Sequence, residues 1–254
     1  MKKSTTKAIC SLFFGSILNI NAQVSKVDNN TSVFFQENKG QICDQNYKSR
    51  PDILFSGNTN GINYHLTNKG ISYQLNRIDH WKETEDLKTQ EKIKIADQTT
   101  FYRIDINWVG ANLNSKIIKG NALSGINNFY LAQCPNGALN VKSYEDVLYT
   151  NIYKDIDLKW YGNKGELEYD FIVKPYADLK EINIEINGAE KISINKNGEL
   201  EIKTPLGVIT EKAPVAFQNN KKVGVKWLIK NNVASFKIDN YDKTQILIID
   251  PALR

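Results

Sequence analysis

Short runs in which apolar and polar residues alternate, bounded by Asn, Gly and Asp, recur through most of this chain. A strand sends successive side chains to opposite faces, so each run can bury only one face, and many in series specify a sandwich or a barrel. In 101–108, Tyr102, Ile104, Ile106 and Trp108 share one face while Arg103, Asp105 and Asn107 share the other. Ile182, Ile184 and Ile186 repeat this within 180–187. Turn residues separate the runs. Asn197-Gly198 predicts a hairpin between Ile192/Ile194 and Leu200/Ile202, Gly162-Asn163-Lys164-Gly165 links two further strands, and Asn219-Asn220 and Asn231-Asn232 do likewise. The expected class is all-β, with antiparallel strands in a β-sandwich-like or two-lobed architecture and meander hairpins in the second half. Parallel topology is not expected, because no amphipathic helix separates the strands.

Two stretches break the rhythm. Residues 79–98 are rich in Glu, Lys, Thr and Gln, which predicts an irregular solvated loop or a short helix. Residues 133–140 hold Cys134-Pro135 and Asn136-Gly137, the expected boundary between lobes over about 30–132 and 141–254, or else a long loop inside a single domain over 23–254. Residues 245–250 are almost continuously apolar, as a strand buried on both faces would be, and Pro251 should end it.

At the N-terminus, Lys2, Lys3 and Lys7 precede the apolar run 8–20, and Ala22 follows, which reads as a signal peptide over 1–22. The run falls short of the roughly 20 residues needed to cross a bilayer, and no later stretch is long and uncharged enough, so no transmembrane segment is expected. Cys10 lies near the start of the run, where lipid attachment does not occur. Export to an oxidising compartment makes Cys43 and Cys134, the remaining cysteines, either a disulfide or two buried thiols. Without the leader, 30 basic residues face 28 acidic ones, so the formal charge falls from +5 to +2. No basic cluster is interleaved with stacking aromatics, and nucleic acid drops out as a partner.

His65 and His80 stand in no metal-binding spacing, and the common nucleophile, redox and phosphate-loop signatures are missing, so no cofactor or metal is expected. The strongest acidic constellation is 165–171, where alternation puts Glu166, Glu168 and Asp170 on one face and Leu167, Tyr169 and Phe171 on the other. Carboxylates two residues apart are separated by about 6.6 Å of rise, the lower edge of the inverting-glycosidase range, but any such pair passes that test. Lys154, Lys159 and Lys164 lie in the same hairpin, and cross-strand charge pairing explains the acids without a metal. Asp155 and Asp157 are expected nearby. Trp160-Tyr161 offers either a sugar-stacking platform or core aromatics, the second being the usual role of aromatics on alternating strands.

Several motifs in order then resemble one family. They are Phe35-Gln36-Glu37-Asn38-Lys39-Gly40-Gln41; Tyr153-Lys154-Asp155-Ile156-Asp157-Leu158-Lys159-Trp160-Tyr161-Gly162-Asn163; Leu167-Glu168-Tyr169-Asp170-Phe171-Ile172-Val173; Thr204-Pro205-Leu206-Gly207; Pro214-Val215-Ala216-Phe217-Gln218; and Ile249-Asp250-Pro251-Ala252-Leu253. Together they resemble the domain of unknown function at the N-terminal end of bacterial proteins carrying SBBP repeats, units of a β-propeller. Three positions depart from its pattern, at Lys154-Asp155, Tyr176 and Phe217. The resemblance brings no catalytic residue or ligand. It implies a non-catalytic structural or interaction module of an exported, cell-surface or secreted protein, preceding a downstream repeat domain, in a family whose members include type IX secretion substrates and adhesion-like proteins. The implied partner is a protein or a cell-surface polysaccharide. The alternatives are a carbohydrate-binding module using Trp160, and a glycoside hydrolase using Glu168 and Asp170.

Overall fold

The computed structural model describes residues 7–9, 33–86 and 88–251. Apart from the backbone of 7–9, the leader reading lies outside the described residues, as does the exit segment 252–254. Among the described residues the fold is nearly all strand, in antiparallel sheets with no closed barrel.

The larger sheet runs, in spatial order, through Ser143–Tyr144, Phe35–Glu37, Phe55–Thr59, Ile62–Leu66, Gly70–Glu85, Lys92–Trp108, Ile184–Asn187, Val233–Ile238 and Val225–Lys230, with Lys7–Ile9 pairing beside 98–100. The second orders Lys221–Val223, Val215–Gln218, Leu247–Asp250, Glu166–Val173, Ile156–Asn163, Asp146–Tyr153 and Lys116–Lys119. Their apolar faces meet. Tyr149, Trp160, Tyr169 and Phe171 from the second sheet and Trp108, Phe236 and Trp227 from the first form a continuous chain of ring contacts, the tightest being Trp160–Tyr169 at 4.5 Å and Trp227–Phe236 at 4.6 Å between centroids. Such pairs add about 0.5 to 1.5 kcal/mol each beyond simple burial, so this seam helps hold the two sheets together. A three-stranded sheet, Lys191–Ile194, Leu200–Thr204 and Gly207–Glu211, adds Leu200, Ile202 and Ile209 to the same core.

The turns follow backbone chemistry. Asn60-Gly61, Lys164-Gly165 and Asn219-Asn220 all have positive φ at both positions, the mirror-image turn that suits the twist of a two-residue hairpin. At Asn197-Gly198 the hairpin forms, but its loop is wider than two residues: Ile194 pairs with Leu200, and the Asn195 side chain accepts from the backbone N–H of Asn197 and Glu199.

Three expectations need correction. Residues 79–98 are neither loop nor helix but the outer part of a long ribbon, Gly70–Glu85 against Lys92–Trp108. Register places Glu83 opposite Lys94 and Glu85 opposite Lys92, so the charges that suggested solvated loop are cross-strand pairs. Residues 133–140 are not a long loop but part of a bulged hairpin: Asn127–Leu131 pairs with Cys134–Val141 around Ala132-Gln133, with two shifts of register along it. In 180–187 the strand is only Ile184–Asn187, preceded by a single 3-10 turn capped by Asp178, although Ile182, Ile184 and Ile186 are all buried as expected. The expected meander hairpins of the second half are present, in 146–173, 191–211, 215–223 and 225–238, and after Val173 the chain crosses from the second sheet to the larger one at Ile184.

Candidate functional site

Strand Glu166–Val173 presents its acids as alternation predicts, with Leu167, Tyr169 and Phe171 in the core and Glu166, Glu168 and Asp170 on the opposite face. The partner the sequence concealed is Lys212, 46 residues from Glu166. Its ammonium is hydrogen-bonded to the Glu166 carboxylate and lies 3.9 Å from Glu168. Asn163 Nδ2 donates to Glu168 Oε2 at 2.9 Å. Tyr161 Oη donates to Asp170 Oδ1 at 3.2 Å. Asp250 joins them from the adjacent strand, where Ile249 pairs with Phe171. Burial, then the Asp250 carboxylate, push the Asp170 carboxyl up to about 6 against the opposing Tyr161 hydrogen bond. Asp250 is raised as well, by burial and by Glu168, with Lys212 pulling the other way. The cluster therefore holds a proton more readily than an ordinary pair of aspartates.

Asp155 and Asp157 do not join it. Asp157 pairs with Ile172 at the far end of the hairpin, where it accepts from the Asn151 backbone N–H and from Lys174 Nζ, both at 2.7 Å. This fixes the irregularity between Tyr149 and Tyr153, where Asn151 has a φ of 51°. Lys159 approaches Asp146 at 3.7 Å, and Lys212 is the counter-ion of Glu166 and Glu168. Trp160 is 1% exposed and packs on Tyr169, so it offers a sugar no face to stack on.

The first motif closes on itself. Asn38 Nδ2 donates to the carbonyls of Arg50 and Ile53, Asn38 Oδ1 accepts from Gly40 N–H, and Gln41 Nε2 donates to Glu37 O at 2.7 Å. Gly40 has a φ of 107°, which residues with a side chain rarely adopt. Glu37 is buried, yet Lys119 Nζ at 2.8 Å, the Lys142 N–H at 3.0 Å and Lys39 Nζ at 3.1 Å surround its carboxylate. Burial alone would raise its pKa; these donors outweigh it and hold the group down to about 2. Gly162 leaves no room for a side chain, since a Cβ there would stand 2.7 Å from Val33 Cβ. Gln218 exchanges hydrogen bonds with the backbone of Asp242, while Pro214 and Pro251 are buried.

Cys43 and Cys134 are free thiols, both half-buried. Gln133 Nε2 donates to Gln41 O at 3.0 Å, which ties their segments together, and the Cys43 thiol is raised by burial, by Asp44 and by Cys134. His65 bonds Ser56 at 2.8 Å, and burial lowers its pKa. Among the described residues no group of three or more His, Cys, Asp or Glu is placed to hold a metal ion. An open groove of about 460 Å³ runs between Gln218, Lys221 and Tyr241, away from the acidic face.

No curated protein and no solved structure matches the chain. A family model does match, over residues 35–252, which takes in every motif above except the final Leu253. The chain belongs to the DUF7948 family, a domain of unknown function.

Proposed function

We propose that this chain is a non-catalytic structural or interaction module of an exported, cell-surface or secreted bacterial protein, normally preceding β-propeller-type repeats. The observation that carries the reading is what the family motifs do in the fold. Glu37, Asn38, Asp157 and Gln218 bind backbone and lysines, Gly162 permits a close approach, and Tyr169 and Phe171 fill the core. A sequence signature devoted to holding a sandwich together supports a scaffold more than a reaction centre. Its partner is a protein or a cell-surface polysaccharide.

A hydrolase using Glu168 and Asp170 has one observation in its favour, the Asp170 carboxyl pushed up to about 6, as a general acid requires. Against it, Glu168 is bonded to Asn163 and 7% exposed. Two measurements separate the readings. Binding of the purified chain to a glycan array, or to the repeat domain of a longer homologue, without turnover supports the module. Release of reducing sugar that disappears in Glu168→Gln overturns it.

A further inference from the structure

Three buried polar atoms without a hydrogen-bond partner line one small cavity between the sheets: Tyr73 Oη, Trp160 Nε1 and Glu211 Oε2. Tyr73 comes from the larger sheet, Trp160 from the second and Glu211 from the three-stranded sheet, so all three layers meet here. Each is 2% exposed or less. The rest of the wall is apolar or aromatic apart from Tyr169, whose hydroxyl is hydrogen-bonded to the Glu211 carboxyl. A buried donor or acceptor left unpaired costs about 1 to 3 kcal/mol, and three around one void form a site, not an accident of packing.

We propose that this cavity is the binding site of one water molecule, which accepts from Trp160 Nε1–H and shares hydrogen bonds with Tyr73 Oη and Glu211 Oε2. The fit rests on size and on chemistry. The space open to the centre of a water is about 10 Å³, so the volume its sphere can occupy there exceeds the roughly 10 to 15 Å³ that one water fills, and such a water needs two to four polar partners. The indole N–H can only donate, so its partner must be an acceptor, and water both accepts and donates. Among the described residues no lysine, arginine or histidine lines the cavity, and Tyr73 and Tyr169 are the titratable groups facing Glu211. Burial pushes the Glu211 carboxyl up to about 8, so at neutral pH the cavity holds a neutral acid, which such a water can serve on either side of the proton.

The test uses the full chain. A crystal structure at a resolution that resolves solvent should show one peak within hydrogen-bond distance of Trp160 Nε1, Tyr73 Oη and Glu211 Oε2. In solution, water relaxation dispersion should count one fewer long-lived water in the double variant Tyr73→Phe/Glu211→Leu, which leaves only Trp160 Nε1 to hold it, and the same number as wild type in Glu211→Gln, which keeps a polar group facing the void. A dry cavity in the wild-type crystal overturns the proposal, whether or not the variants fold. An unchanged count in a folded double variant does so too.

Discussion

Lys119 Nζ lies 2.8 Å from Glu37 Oε2, joining the edge strand of one sheet to a strand of the other across 82 residues of sequence. Tyr144 Oη donates to the same oxygen at 3.3 Å, and the Lys119 ammonium lies 5.0 Å from the Tyr144 ring centroid, so the pair is walled by an aromatic. Glu37→Gln keeps the volume and removes the charge. Hydrogen bonds to a charged group contribute about 1.5 to 3 kcal/mol. Because Lys119 can turn back to water, the lower half of that range is expected, a fall of roughly 3 to 9 °C in the melting midpoint at neutral pH. The wild-type carboxyl titrates near 2 in the fold against 4.5 unfolded. Its contribution is therefore present above 4.5 and lost as the pH falls toward 2, and the difference between wild type and variant should close over that window. A gap that persists unchanged at pH 2 would contradict the pairing.

Glu211 has the opposite sign. Its carboxyl stands near 8 in the fold against 4.5 unfolded, so the stabilising protonated form is complete below 4.5 and is lost as the pH rises through 8. Glu211→Gln mimics the neutral acid. Wild type and variant should have similar urea midpoints at pH 4.5, after which the wild type should lose ground by up to about 1.4 kcal/mol per pH unit until 8. Parallel curves across this range would mean that Glu211 is ionised in the fold or not buried.

The two glutamates show why the fold was legible in the sequence and the polar sites were not. Alternation identified the inward face of 101–108 and 166–173, because a period of two needs only local information. It failed at 79–98, where both faces of the ribbon meet water and no apolar face exists; the signal there was the pairing of Glu83 and Glu85 with Lys94 and Lys92 across a turn. Likewise 245–250 reads as apolar on both faces, yet Ile246 and Ile248 are exposed at 51% and 37%. The strand is the third of seven in its sheet, and these two residues on its outer side meet solvent. Lys212 beside Glu166, Lys119 beside Glu37 and Glu211 beside Tyr169 all depend on contacts between strands distant in sequence, which no spacing rule records.

Gly162→Ala tests the joint between the sheets at their rim. The added Cβ would stand 2.7 Å from Val33 Cβ and 3.1 Å from the Val33 carbonyl oxygen, closer than backbone-anchored atoms tolerate. Overpacking of this kind costs about 1 to 3 kcal/mol, or roughly 2 to 12 °C in a domain of this size. Chemical shift changes should centre on Val33 and on the turn at 164–165. A variant that melts with the wild type would place the segment before Phe35 elsewhere.

The strand Leu247–Asp250 carries the sharpest expectation about the chain's end. It lies between Val215–Gln218 and Glu166–Val173, hydrogen-bonded on both sides, with Leu247 and Ile249 fully buried. Its partners would lose their backbone pairing together with two aliphatic side chains, each worth about 2 to 5 kcal/mol when removed from a core. Against a total stability of about 5 to 15 kcal/mol, deleting 245–254 should abolish cooperative folding. Deleting 252–254 alone leaves the strand and the buried Pro251 intact, and the melting midpoint should stay within about 2 °C of the full chain. Ile248→Ser separates burial from ladder pairing, because it alters only the outer face and should shift the midpoint far less than Ile249→Ser. Cooperative unfolding of the longer truncation at the full-chain midpoint, or equal shifts for the two serine variants, would remove this strand from the core.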